Sequence, residues 1–249
     1  QSISPEIVFR GNGAWEKAIP QFTKLIQSPL ILGRSIHTQN LRNKLLTDLK
    51  NQNLSVNSEN LHFDCCYEDI SRLKSIILEN NHDAVIAAGG GKVLDSGKYL
   101  AESLNIPCIT VPLSASTCAG WTALSNIYTK NGQFLKDVPL RSCPKVLVYD
   151  HKFIQTAPSR TLASGIADAL AKWYESSITS STIDDGLVQQ AIQISRVLRD
   201  QLLIDGEKAF KAQFENNSSW RNTIEACGLT AGLVGGIGGE KCRTAAAHA

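Results

Sequence analysis

The stretch Gly89-Gly90-Gly91-Lys92-Val93-Leu94-Asp95-Ser96-Gly97-Lys98 follows directly on residues 83–88, a run that reads as a buried strand. Three consecutive glycines leave backbone N–H groups bare of side chains where a helix begins. Oriented donors and the helix dipole can hold a phosphate or pyrophosphate at such a place. The same residues also read as a glycine stop to a strand followed by an ordinary amphipathic helix. The neighbouring segments have to choose between these two readings.

Residues 29–33, 107–113 and 145–149 join 83–88 as short apolar runs bounded by turn residues, the pattern of buried strands. Helical patterns lie between them, at 41–52, 67–80 and 93–104; in the last of these Val93, Leu94, Leu100, Ala101 and Leu104 form one apolar face. Strand, helix, strand alternation specifies a mainly parallel sheet with helices on both sides. Ligands of such sheets bind at the carboxyl ends of the strands, where the Gly89 turn sits. Beyond Pro158 the strand-like runs stop, and 161–177, 183–203, 206–216 and 222–234 read as helical. The expected architecture is α/β: a Rossmann-like parallel-sheet domain over residues 1–157, then an all-α domain over 158–249, with a cleft between them suited to a small molecule. The cluster Gly232, Gly235, Gly236, Gly238 and Gly239 has no strand before it and reads as a flexible turn between helices.

Composition narrows the function classes. With 43% hydrophobic and 19% charged residues, the 249-residue chain has the means for an ordinary buried core. No run approaches the 18 or so apolar residues of a membrane span, and residues 1–5 form neither a basic leader nor an apolar signal core, so the expected location is cytoplasmic. Lys plus Arg number 25 against 23 for Asp plus Glu, and the basic residues are scattered, which argues against nucleic acid or a membrane surface as partner. The seven cysteines include no CxxC pair and read as reduced, small core residues. No methionine occurs and the first residue is Gln1, the pattern expected of a processed or partial chain.

Two further regions carry polar chemistry. Residues 115–129, Ala-Ser-Thr-Cys-Ala-Gly-Trp-Thr-Ala-Leu-Ser-Asn-Ile-Tyr-Thr, crowd short hydroxyls directly after a strand; these suit a ribose, an amide or a pyrophosphate, or simply a turn. In 164–178, Ile166, Leu170 and Trp173 mark an apolar face while Asp168, Lys172 and Glu175 fall on another, which reads as a solvated face with an Asp168–Lys172 pair four residues apart. His248 follows three alanines. A carboxylate and an imidazole suit a divalent metal of the zinc or iron type, but Asp168 and His248 lack the short spacing of a local metal motif. His37, His62, His82 and His151 have no acid or nucleophile at diagnostic spacing, and no GxSxG elbow is present.

Four segments in order resemble the iron-containing alcohol dehydrogenase superfamily, most closely its glycerol dehydrogenase branch, across residues 9–249. They are 89–98, similar to the family's pyrophosphate loop; 116–129, similar to its nicotinamide-side segment; Gly-Ile-Ala-Asp-Ala-Leu-Ala-Lys-Trp-Tyr-Glu at 165–175, similar to the helix with the metal-binding aspartate; and 245–249, similar to the start of the helix with a metal-binding histidine. The resemblance implies a dehydroquinate synthase-like fold and a hydride transfer between NAD or NADP and a small alcohol, polyol or carbonyl compound, assisted by one zinc or iron ion. It implies that Gly89, Gly90, Gly91, Lys92 and Asp95 hold the pyrophosphate and nearby ribose. Ser116, Thr122, Leu124 and Tyr128 match cofactor contacts, Asp168 and His248 match two metal ligands, and a homo-oligomer is expected.

Three departures from the family pattern accompany the resemblance. Its third metal ligand, a histidine one helix further on, would fall past Ala249, so the helical domain is expected to be incomplete or the chain to be a metal-free, non-catalytic relative. Cys118 stands where the glycerol branch has a substrate-binding aspartate, and a thiol cannot replace that acceptor. Arg34 follows Gly33 after the first predicted strand, where NAD-using relatives commonly carry an acidic residue; an arginine there could accept a 2′-phosphate. Dehydroquinate synthase and glycerol-1-phosphate dehydrogenase chemistry on the same fold would need cations around a substrate phosphate, for which Lys172, Arg160 and Lys241 are the few candidates.

Overall fold

The computed structural model describes residues 2–180 and 182–242. The first part alternates β1 (Ile7–Gly11), α1 (Ala14–Leu25), β2 (Pro29–Gly33), α2 (Gln39–Lys50), β3 (Asn57–Asn60), α3 (Tyr67–Glu79), β4 (Ala84–Gly89), α4 (Gly91–Leu104) and β5 (Cys108–Pro112). A two-stranded antiparallel hairpin, β6 (Leu124–Tyr128) and β7 (Phe134–Pro139), precedes β8 (Val146–Asp150). Six strands form one sheet in the order β1-β8-β5-β4-β2-β3, every neighbouring pair parallel.

β2, β4, β5 and β8 are buried at every residue, which is why they read as unbroken apolar runs. Alternate side chains feed two cores. Ile31, Ile86, Ile109 and Val148 pack with Trp15, Phe22, Leu45 and Leu49 on one face. Leu30, Leu32, Val85 and Ala87 pack with Leu73, Ile77, Leu94 and Leu100 on the other. The polar edge strand Asn57–Asn60 has no apolar pattern of its own and exists through its pairing with β2. From β2 the chain steps outward to β3, and from β4 it steps the opposite way to β5, so the order reverses between β2 and β4. The crevice at their carboxyl ends is the ligand position of such sheets.

From His151 onward the described elements are helical: α5 (His151–Gln155), α6 (Ser159–Thr179), α7 (Gly186–Lys211), α8 (Ser218–Glu225), a π-helical turn at Ala226–Thr230, and α9 (Ala231–Gly238). Asp150, Asp185 and Asn217 cap α5, α7 and α8 through their side-chain oxygens. Two expectations are corrected. Residues 206–211 do not start a new helix: Gly206 is buried inside α7, facing Ile166. The glycine cluster is not a loose turn but largely helix α9, because its glycines permit close packing. A Cβ on Gly232 would fall 2.5 Å from Trp121, and one on Gly236 would fall 2.1 Å from the Ile3 carbonyl oxygen. Among the described residues no helix is long and apolar enough to cross a membrane.

Candidate functional site

β4 ends at Gly89, Gly90 is extended, and α4 starts at Gly91 with no side chain capping its first turn. The Val93 and Leu94 N–H groups donate to the Gly90 carbonyl at 3.0 and 3.1 Å, which leaves the Gly91 and Lys92 amides for a ligand. The Leu113 N–H donates to the Gly89 carbonyl at 3.0 Å, which brings the exit of β5 alongside. A Cβ on Gly90 would meet nothing nearer than Ser114 Oγ at 3.9 Å, so the turn is open. A Cβ on Gly91 would lie 3.1 Å from Thr117 Cγ2, so glycine there lets the segment after β5 close over the helix start. An open turn with uncapped amides fits a dinucleotide pyrophosphate.

One turn further along α4, Asp95 and Lys98 form a buried ion pair at 3.0 Å. Burial raises the Asp95 carboxyl above its usual range, against the pull of the Lys98 ammonium and the Asn126 N–H. Lys98 Nζ donates to the Thr122 carbonyl at 3.1 Å, to Thr122 Oγ1 at 3.2 Å and to the Leu124 carbonyl. Ser125 Oγ donates to the Asp95 carbonyl at 2.9 Å. Residues 122–126 are thereby fastened to the helix that begins at the glycine turn.

α6 approaches from the other side. A Cβ on Gly165 would stand 1.8 Å from the Ala115 carbonyl oxygen, so the helix backbone touches the segment after β5. That contact sets Asp168 and Lys172 against a cavity of about 380 Å³. Asp168 and Lys172 are half-buried and Glu175 is buried, so this is not the solvated face expected from the sequence.

Gly91, Lys92, Asp95, Ser116, Cys118, Thr122, Leu124, Tyr128 and Asp168 all line that cavity, while Gly89 and Gly90 form the turn beside it. Lys92 Nζ stands 4.7 Å from the centre of the Tyr128 ring. Burial pushes the Tyr128 hydroxyl and the Cys118 thiol up in pKa; Lys172 opposes the shift at Cys118. Arg34 lies apart from the cavity, at the end of β2, paired with Asp64. His248 lies outside the described residues. Ala231 and Gly235 of α9 also line the cavity; Gly235 belongs to the glycine cluster that reads from the sequence as a turn, and no local signal marks Ala231.

Among the described residues no three His, Cys, Asp or Glu side chains are grouped to hold a metal ion. Asp168 supplies one carboxylate, and the described residues alone do not complete a metal centre.

A parallel sheet whose glycine turn opens toward a helical region is an α/β chain of the Rossmann-like kind. Residues 5–151 match the model of the iron-containing alcohol dehydrogenases, and the chain belongs to that family. It is 40% identical over its whole length to an uncharacterized oxidoreductase, slr1167, of Synechocystis sp., covering 63% of that protein. It is 36% identical to a glycerol dehydrogenase of Escherichia coli over 75% of this chain and 52% of that one. The crystal structure of glycerol dehydrogenase from Schizosaccharomyces pombe superposes on all of the chain with a TM-score of 0.84 at 28% identity, and 64% of that structure is covered. The chain thus spans between half and two thirds of the length of these relatives.

Proposed function

We propose that the chain forms the cofactor side, and part of the substrate side, of an NAD(P)-dependent oxidoreductase that moves a hydride between a nicotinamide and a small alcohol or carbonyl compound. The observation that carries this is the single cavity bounded by the first turn of α4 on one side and Asp168 on the other. Family membership and the glycerol dehydrogenase relatives support the same reading.

In this reading the amides at Gly91 and Lys92, with the Lys92 ammonium, neutralise the pyrophosphate. The clamped segment 122–126 and the hydroxyls of Ser116 and Thr122 orient the nicotinamide end toward α6. The nicotinamide supplies the hydride chemistry, and a divalent zinc or iron ion held in part by Asp168 would lower the pKa of a substrate hydroxyl or polarise a carbonyl. Position and exclusion of water are what the protein contributes. The Cys118 thiol, a weak donor and acceptor, favours a substrate with fewer hydroxyls than glycerol.

The test uses the full-length protein supplied with zinc or iron and a panel of alcohols, diols, aldehydes and ketones, followed by nicotinamide absorbance. Turnover with at least one compound, abolished by Asp168→Asn while dinucleotide binding persists, is the expected result. No turnover across the panel in metal-replete, folded protein would overturn the reading.

A further inference from the structure

We infer that the substrate carries a carboxylate and that Lys172 recognises it: the cavity takes a short 2-hydroxy acid and its 2-oxo counterpart in preference to a neutral polyol. This rests on the hydride-transfer reading above and names its substrate class.

Asp168 and Lys172 stand one turn apart on α6, about 6 Å along its axis, and both line the cavity. Cys118 shares that wall, and the Lys172 ammonium and the Asp168 carboxylate act on its thiol in opposite directions. Among the described residues, the helical side of the wall is otherwise Ala231, Gly235, Gly236 and Cys242. The hydroxyls of Ser116 and Thr122 belong to the sheet side, where the dinucleotide is placed. The helical wall thus gives the successive hydroxyls of a polyol little to bond to, and gives a carboxylate one ammonium.

The other charges on the cavity have work elsewhere. Asp95 is paired with Lys98, and Lys92 donates to Asp64 at the cofactor end. An ammonium has three donors, so a substrate carboxylate joins the groups that Lys172 already bonds to within the protein. One half-buried ammonium matches a monoanion. A phosphate dianion would call on further cations, but Arg160 is exposed near the start of α6 and Lys241 lines a neighbouring cavity.

Helical side chains lean toward the N-terminus, which carries the Lys172 head back over the turn of Asp168. Neighbouring heads suit a ligand whose carboxylate and reacting oxygen sit on adjacent carbons. In oxidation the C2–H bond breaks and its electron pair passes with the hydrogen to nicotinamide C4, the hydroxyl proton leaves to water, and C2=O forms. Reduction of the 2-oxo acid by the reduced nicotinamide reverses each of these changes.

The experiment uses full-length protein supplied with zinc or iron and NAD(P). It compares lactate and 2-hydroxybutyrate with 1,2-propanediol and 1,2-butanediol, in which a hydroxymethyl group replaces the carboxylate. The acids are expected to be favoured in kcat/KM by about tenfold or more, a ratio that falls toward unity in Lys172→Ala, mainly through KM. Binding gives a second readout. Oxamate, an unreactive mimic of a 2-oxo acid, is expected to bind the dinucleotide complex about tenfold more weakly in Lys172→Gln than in the unaltered protein, measured by calorimetry. Diols or other neutral compounds turned over as well as the acids or better, or an acid preference or oxamate affinity that these variants leave unchanged, overturns the carboxylate seat and leaves the hydride-transfer reading standing. Turnover of neither acids nor neutral compounds by folded, metal-replete protein overturns both.

Discussion

Lys98 Nζ stands 3.0 Å from Asp95 Oδ1, one turn apart on α4, with both side chains shut away from water. The same ammonium donates to the Thr122 and Leu124 carbonyls, so one buried cation joins the glycine-turn helix to the strand that faces the cavity. Lys98→Met strands a buried carboxylate and several acceptors. It is expected to lower stability by about 3–5 kcal/mol in chemical denaturation. A loss under about 1 kcal/mol would show that the pair does not hold this joint.

Gly165 tests the approach of α6. Its Cβ would collide with the Ala115 carbonyl oxygen at 1.8 Å, whereas a Cβ on Gly186, at the start of α7, meets nothing within 4 Å. Gly165→Ala is expected to cost about 1–3 kcal/mol and to weaken ligand binding in the cavity, with Gly186→Ala neutral or slightly stabilising. Thermal melts of the two variants side by side measure the difference. Equal melting points would mean that the helix can retreat without consequence.

Glu225 ties the sheet to the helical region by accepting from Arg10 Nη1 at 2.6 Å and pairing with His151 Nε2 at 2.9 Å. Burial pushes its carboxyl up, but hydrogen bonds and charge from His151 and Arg10 outweigh this and bring it below its ordinary 4.5. A depressed carboxyl binds its proton less tightly in the folded chain than in the unfolded one. Its stabilisation is therefore present above pH 4.5 and is lost as pH falls through the folded value. Glu225→Gln is expected to be less stable by about 1–3 kcal/mol at pH 7, with the gap closing toward pH 3. Denaturation curves at pH 7, 5 and 3 would show it; a gap independent of pH would refute the assignment.

All seven cysteines are buried thiols. Burial drives the Cys65 and Cys108 thiols up to about 12 and raises Cys118 as well. The thiolate is the reacting form, so iodoacetamide at pH 8 is expected to leave all seven unmodified in folded protein and to label all seven in urea, read by mass spectrometry. Rapid labelling of Cys118 in the folded state would show that the cavity wall opens.

Local sequence carries what local physics decides. β2, β4, β5 and β8 are legible because strands buried on both faces must be apolar throughout. Asn57–Asn60 is not, since an edge strand borrows its structure from its neighbour. The glycines of α9 look like a turn because their reason for being glycine, the proximity of Trp121 and Ile3, lies more than a hundred residues away. The site follows the same rule. The glycine turn and the hydroxyl-rich segment stand out as motifs, whereas Asp168 reads locally as part of a solvated face and is marked only by the family resemblance. The grip of Lys98 on residues 122–124 and the Asp64 anchor beneath Arg34 and Lys92 join residues distant in sequence, so only the fold reveals them.

The proposed dinucleotide seat is tested most directly by hydrogen–deuterium exchange of the full-length protein with and without a saturating nicotinamide dinucleotide, NADH or NADPH. Slowed exchange concentrated at residues 89–93 and 116–124 is the expected result. Bound dinucleotide that leaves those amides exchanging as before, with protection appearing elsewhere, would contradict the assignment of the glycine turn as its seat.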